Sequence, residues 1–116
     1  MSSILRMTEA PASELIPADG TSAGNPMERV SELFDSEQHS GFAGSWYCSQ
    51  GQITVEDYPF DEVCFITEGK VGITDLASGE EEIFTAGQAF ICRKGSKLQW
   101  TIYQNCRKFY VGIPAN

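Results

Sequence analysis

A single histidine, His39, serves the whole chain of 116 residues, and that scarcity removes entire classes of chemistry. A Ser-His-Asp arrangement would have only this loop histidine to draw on, and a histidine-rich metal centre has no second one. Basic residues are also few: eight Lys and Arg stand against sixteen Asp and Glu, for a formal net charge of −8. The sequence pI is near 4.5, a balance that argues against nucleic acid or an anionic membrane as partner. No run approaches the roughly 18 apolar residues of a membrane span, and no apolar signal segment leads the chain. No glycine-rich loop opens a helix in the manner of a phosphate cradle. Cys48, Cys64, Cys92 and Cys106 are widely spaced and form no C-x-x-C pair. They read as four reduced thiols in a cytoplasmic protein, with Cys64 and Cys92 packed as small hydrophobes inside the apolar runs V-C-F-I and A-F-I-C.

What is present is a series of short strands. Gln52-Ile53-Thr54-Val55-Glu56-Asp57 and Lys70-Val71-Gly72-Ile73-Thr74-Asp75 alternate apolar with polar residues, the mark of half-buried strands. Val63–Thr67 is almost continuously apolar and reads as a central strand. Glu80–Phe84, Ala89–Cys92, Leu98–Tyr103 and Lys108–Ile113 continue the series at about ten-residue spacing, which predicts an all-β sandwich or barrel. Met27–Phe34 fits either a short helix or a short strand. Residues 1–25, with Pro11, Pro17, Gly20 and Gly24, form an extended N-terminal segment, either a partly disordered leader or a source of edge strands. Residues 26–116 make the folded domain.

The stretch from Asp57 to Arg93 is the centre of a wider family likeness. Tyr58-Pro59-Phe60-Asp61-Glu62, Glu68-Gly69-Lys70-Val71, Ala86-Gly87-Gln88-Ala89 and Arg107-Lys108-Phe109-Tyr110-Val111 occur in an order that resembles the cupin superfamily. Specifically, it resembles the small single-domain cupins grouped with the ureidoglycine aminohydrolase cupin domain and the EutQ-like proteins. The likeness runs from Phe42 to Pro114. It implies an antiparallel jelly-roll barrel of the RmlC-like type, a small-molecule ligand, and a homodimer in which the N-terminal segment packs on a second subunit.

The same likeness implies a metal site that this chain does not reproduce. Metal-binding cupins supply His-x-His and Glu from a first motif and His from a second. Glu62 matches the glutamate, but the histidine positions fall on Val55 and Asp57 or on Glu56 and Tyr58, and the second motif falls near Leu98. Ureidoglycine aminohydrolases resemble the chain in another register, which places their glutamate on Glu56, their histidines on Tyr58 and Glu62, and their glutamine near Gln99. Glu56, Glu62 and Gln99 would then form an all-oxygen set suited to a weakly bound hard cation such as Mn²⁺ or Mg²⁺. No other cofactor is expected. Alternation places Glu62 with Cys64 and Ile66 on one face, so Glu62 points into the barrel mouth if that face is internal. A carboxylate there needs a cation, and Arg93, Lys94 and Lys97 are the candidates. The expected ligand-binding residues are Trp46, Tyr58, Glu62, Gln99 and Trp100, and no catalytic residue is assigned. Convergence of Tyr58, Glu62 and Gln99 inside the barrel would favour a metal-dependent aminohydrolase over a binding module that lacks the histidine site.

Overall fold

Period-two alternation turns one side of each strand inward, and the protein closes around that shared apolar side. The structure, a computed structural model, describes residues 3–36, 38 and 40–114; His39 lies outside the described residues. Among them there are nine strands and no helix. They are β1 (Ile16–Pro17), β2 (Thr21–Ala23), β3 (Met27–Ser36), β4 (Gly41–Cys48), β5 (Gly51–Val55), β6 (Asp61–Asp75), β7 (Glu80–Thr85), β8 (Ala89–Cys92) and β9 (Leu98–Ile113).

Two long strands frame everything else. β6 and β9 run antiparallel, and each bends so that its two halves serve different walls. The first half of β6 lies between β8 and the second half of β9, which continues through β4 and β3 to β1. The second half of β6 pairs with β7, and the first half of β9 continues through β5 to β2. The result is a nearly closed antiparallel barrel of jelly-roll type. The bend in β6 falls where its register against β9 shifts repeatedly between Ile66 and Val71. Gly69 sits there with φ of +89°, and a Cβ on it would lie 2.8 Å from the Cys106 Cα. Only glycine fits both the dihedral and the space.

The ambiguous stretch Met27–Phe34 is strand, because Glu28 to Glu32 and then Phe34 pair with β4 across a register shift at Leu33. The N-terminal segment supplies β1 and β2 at the two ends of the strand order. Upstream of them Ala10 is buried, and its carbonyl accepts a hydrogen bond from Arg107 Nε at 2.9 Å. The core joins Ile66, Val71, Ile73, Leu98, Trp100 and Ile102 with the four cysteines, all free and buried. Cysteines far apart in sequence meet in two pairs: Cys48 faces Cys106 across β4 and β9, and the Cys64 and Cys92 sulfurs lie within 4.8 Å of each other between β6 and β8. Among the described residues no helix is long and apolar enough to cross a membrane.

Candidate functional site

Strand alternation aims three elements at one end of the barrel interior. On β6 Glu62, Cys64 and Ile66 point inward while Phe65 faces out. On β9 the same phase carries Leu98, Trp100 and Ile102 inward, then Cys106, Lys108 and Tyr110 beyond the bend. β4 contributes Trp46. Gly44, two residues before it, leaves room for the Tyr110 ring, since a Cβ there would come within 2.7 Å of Tyr110 Cζ.

Lys108 and Glu62 meet in this interior. Lys108 Nζ donates to Glu62 Oε2 at 3.1 Å, with the two side chains only 7% and 9% exposed. Its other neighbours are the faces of Trp100 and Trp46, 4.3 and 4.6 Å from Nζ to the ring centroids, with Tyr110 at 5.8 Å and Cys64 Sγ at 3.8 Å. Desolvated cation–π contacts of this kind contribute about 2 kcal/mol. The second Glu62 oxygen accepts from Tyr58, whose hydroxyl lies 2.6 Å from Oε1. Burial alone would raise the Glu62 carboxyl, but Lys108 and the hydrogen bonds from Tyr58, Cys64 and Lys108 outweigh it and hold Glu62 below its ordinary range. Burial alone would likewise lower Lys108, and the Glu62 carboxylate, by its charge and its hydrogen bond, holds it above its ordinary value. The Tyr58 hydroxyl and the Cys64 thiol are both pushed up, first by burial. At neutral pH Lys108 is therefore an ammonium, Glu62 a carboxylate, Tyr58 a phenol and Cys64 a thiol.

Above this trio opens a cavity of about 400 Å³. Its walls are apolar and aromatic, including Val30, Ile53, Val55, Phe60, Trp46 and Trp100. Two carboxylates, Asp19 and Glu28, also line it, and Trp46 Nε1 donates to Glu28 Oε1 at 2.8 Å.

The structure brings together four of the expected ligand-binding residues, Trp46, Tyr58, Glu62 and Trp100, and leaves out Gln99. Gln99 alternates with the inward-facing Leu98 and Trp100 on β9, so its side chain lies on the other face of that strand. Glu56 is exposed and pairs with Lys97 at 3.1 Å. The all-oxygen set of Glu56, Glu62 and Gln99 is therefore not assembled, because Glu62 alone points into the barrel while Glu56 and Gln99 lie outside its inward face. The cation beside Glu62 is also not one of the expected three. Lys97 serves Glu56, the Lys94 backbone N–H binds Asp61 Oδ1, and Arg93 is exposed. Lys108 takes that place. Its position was readable, since even-numbered residues from Leu98 onward alternate into the core, but a lysine in that phase looks like a surface residue. Glu28, on a strand with exposed apolar residues, gave no such signal. Glu62, Cys64 and Cys92 place potential ligand atoms within 4.8 Å of one another, a donor set with soft sulfur character. The ammonium of Lys108 already stands against that cluster.

A model of the EutQ-like cupin domain family matches residues 36–110. No curated protein matches the chain. Among solved structures it is similar to the EutQ protein of Clostridium difficile, with TM-score 0.68 and 22% identity over 78% of this chain and 71% of that one. A putative ethanolamine utilization protein Q from Salmonella typhimurium LT2 gives TM-score 0.70 and 23% identity, covering 88% and 80%. The polyketide cyclase RemF of Streptomyces resistomycificus gives TM-score 0.64 and 16% identity, covering 96% and 81%. At these identities the structural likeness shows the fold.

Proposed function

This chain belongs to the EutQ-like cupin domain family, and on that footing we propose that it binds a small organic molecule in the cavity above Lys108, Glu62 and Tyr58. The observation that carries this reading is the buried polar trio at the base of an otherwise apolar, aromatic cavity. Small-molecule sites commonly have this composition, with a few convergent polar groups fixing the orientation of a largely apolar ligand. The Lys108–Glu62 pair is internally neutral, so it offers a hydrogen-bonding base and not a net charge. A neutral oxygen or nitrogen of the ligand can use the remaining Lys108 donor or the Tyr58 oxygen without separating the pair.

In this reading the protein needs no resident metal, because Lys108 supplies the positive charge beside Glu62. The alternative is a metal-dependent aminohydrolase of the ureidoglycine type. It draws support from the meeting of Tyr58 and Glu62, and none from Glu56 or Gln99. Four unpaired thiols favour a reducing compartment such as the cytoplasm. A homodimer completes the proposal, with the second copy covering the apolar outer face of β6, β8 and β9.

The test is two-dimensional NMR of the protein against a mixed set of small alcohols, acids and amines, beside a variant with a narrowed cavity, Val55→Trp. Shifts at Tyr58, Glu62 and Lys108 that vanish in the variant support the cavity as the ligand site. Binding that survives Val55→Trp, or that maps elsewhere, removes it.

A further inference from the structure

The charges lining the cavity are unequal, and we infer from them the class of ligand: a small organic cation, an ammonium carried on an apolar body. This rests on the proposal that the cavity is the ligand site. Its lining holds Asp19, Glu28 and Glu62 against Lys108 alone. Glu62 and Lys108 neutralise each other at 3.1 Å, which leaves Asp19 and Glu28. Among the described residues no lysine or arginine forms an ion pair with either of them.

Glu28 is held in place without being neutralised. Its Oε1 accepts from the Trp46 indole N–H at 2.8 Å, and its Oε2 accepts from the Asp19 backbone N–H at 3.1 Å. Each oxygen keeps a lone pair, and the carboxylate keeps its whole charge. Trp46 links the two charged ends of the cavity: its ring face meets the Lys108 ammonium, and its edge meets Glu28. The quadrupole of an indole, negative on the face and positive at the edge, favours that arrangement. Since the Trp46 and Trp100 faces are committed to Lys108, an incoming cation is recognised by the carboxylates and not by those rings. The ligand's apolar body then lies along Val30, Ile53, Val55 and Phe60. An anion would meet two carboxylates and a lysine whose charge is already engaged. The chain's net charge of −8 also draws cations and repels anions at longer range.

The test uses three probes of one shape, benzylamine, benzyl alcohol and benzoate, titrated near neutral pH and low salt with Trp fluorescence and calorimetry as readouts. The expected order is benzylamine tightest, by about tenfold over benzyl alcohol, with benzoate weakest. Glu28→Gln keeps an amide oxygen for the Trp46 N–H and removes the charge. It should erase the preference for benzylamine over benzyl alcohol. Equal binding of benzylamine and benzyl alcohol, a preference for benzoate, or a preference that survives in both Glu28→Gln and Asp19→Asn would overturn the cation assignment and leave the cavity as a ligand site. No binding of any probe to the wild-type protein would remove both.

Discussion

Lys108 Nζ lies 3.1 Å from Glu62 Oε2 inside the barrel, and neither side chain is more than a tenth exposed. Removing one partner of such a pair strands the other in a low-dielectric interior, which costs about 3–5 kcal/mol. Lys108→Met should therefore be the most damaging conservative change in the site. The double variant Glu62→Gln/Lys108→Met should recover most of the loss, since no charge is left unpaired. Urea unfolding of the two single variants and the double variant measures this directly. A double variant as unstable as Lys108→Met alone would mean that the lysine stem and its ring contacts matter, and that the ion pair does not.

The pair also sets the pH dependence. Glu62 is held below its unfolded value, so its contribution is present above about pH 4.3 and is lost as pH falls through its folded pKa. Lys108 is held above its unfolded value of about 10.4, so its contribution is complete below that pH and is lost as pH rises through its folded pKa. Between these limits stability from the pair should be flat. In Lys108→Met the buried Glu62 loses its cation and burial dominates, which raises its pKa. Stability of that variant should then increase as pH is lowered from 7 toward 5, opposite to the trend expected of a paired carboxylate. Melting curves across that range decide the sign, and a Lys108→Met protein that loses stability on mild acidification would contradict the assignment.

Most of the barrel was legible because its strands obey a simple alternation, and because Gly69 and Gly87 fall where the chain turns. Glu62 was legible for the same reason: its inward phase follows from Cys64 and Ile66. What sequence could not supply was which strands become neighbours. Lys108 stands forty-six positions beyond Glu62 and reaches it only because the second half of β9 pairs with the first half of β6. The same topology carries Gln99 out of the site by a single step of alternation and pairs cysteines that look isolated along the chain. Glu28 joins the cavity through a side-chain bond to Trp46, a relation with no trace in spacing or composition.

Metal addition gives a third expectation. The wild-type protein should melt at the same temperature after chelation and after Mn²⁺ or Mg²⁺ is added, because Lys108 occupies the charge position beside Glu62. Native-state binding at 100 times Kd would add about 2.7 kcal/mol, well within reach of a melting experiment. Lys108→Met uncovers the Glu62, Cys64 and Cys92 cluster, and Zn²⁺ should then stabilise that variant. Stoichiometric metal in the wild-type protein, lost in Glu62→Ala, would restore the metal-dependent reading.

Gly69 and Gly79 separate two causes of backbone strain. Both have positive φ, +89° and +79°, but a Cβ at Gly79 meets nothing within 4 Å while one at Gly69 meets the backbone of Asn105 and Cys106. Gly79→Ala should cost about 1 kcal/mol from the dihedral alone. Gly69→Ala should cost clearly more, and should perturb the β6 bend on which the inward phase of both Glu62 and Val71 depends. Equal losses by chemical denaturation would show that the close approach at Gly69 relaxes without cost.

The outer face of β6, β8 and β9 carries the last expectation. Phe65, Ile91, Val111 and Ile113 are 46%, 64%, 41% and 53% exposed, and the strand registers set them side by side: Val63 is flanked by Ile91 and Val111, and Phe65 by Ala89 and Phe109. A contiguous apolar face on a β-sheet is a liability for a monomer and a natural surface for a symmetric partner. A second copy related by a two-fold axis would place the same residues on both sides and bury them together. Phe65→Glu introduces two facing carboxylates at such an interface, one per subunit, and should shift the protein to monomer. Light scattering with size-exclusion chromatography reads the outcome, and circular dichroism checks that the barrel is intact. A wild-type protein that is monomeric at high concentration removes the dimer. A Phe65→Glu variant that stays dimeric moves the interface to another face, where the N-terminal segment with exposed Ile4, Leu5 and Met7 is the next surface to alter.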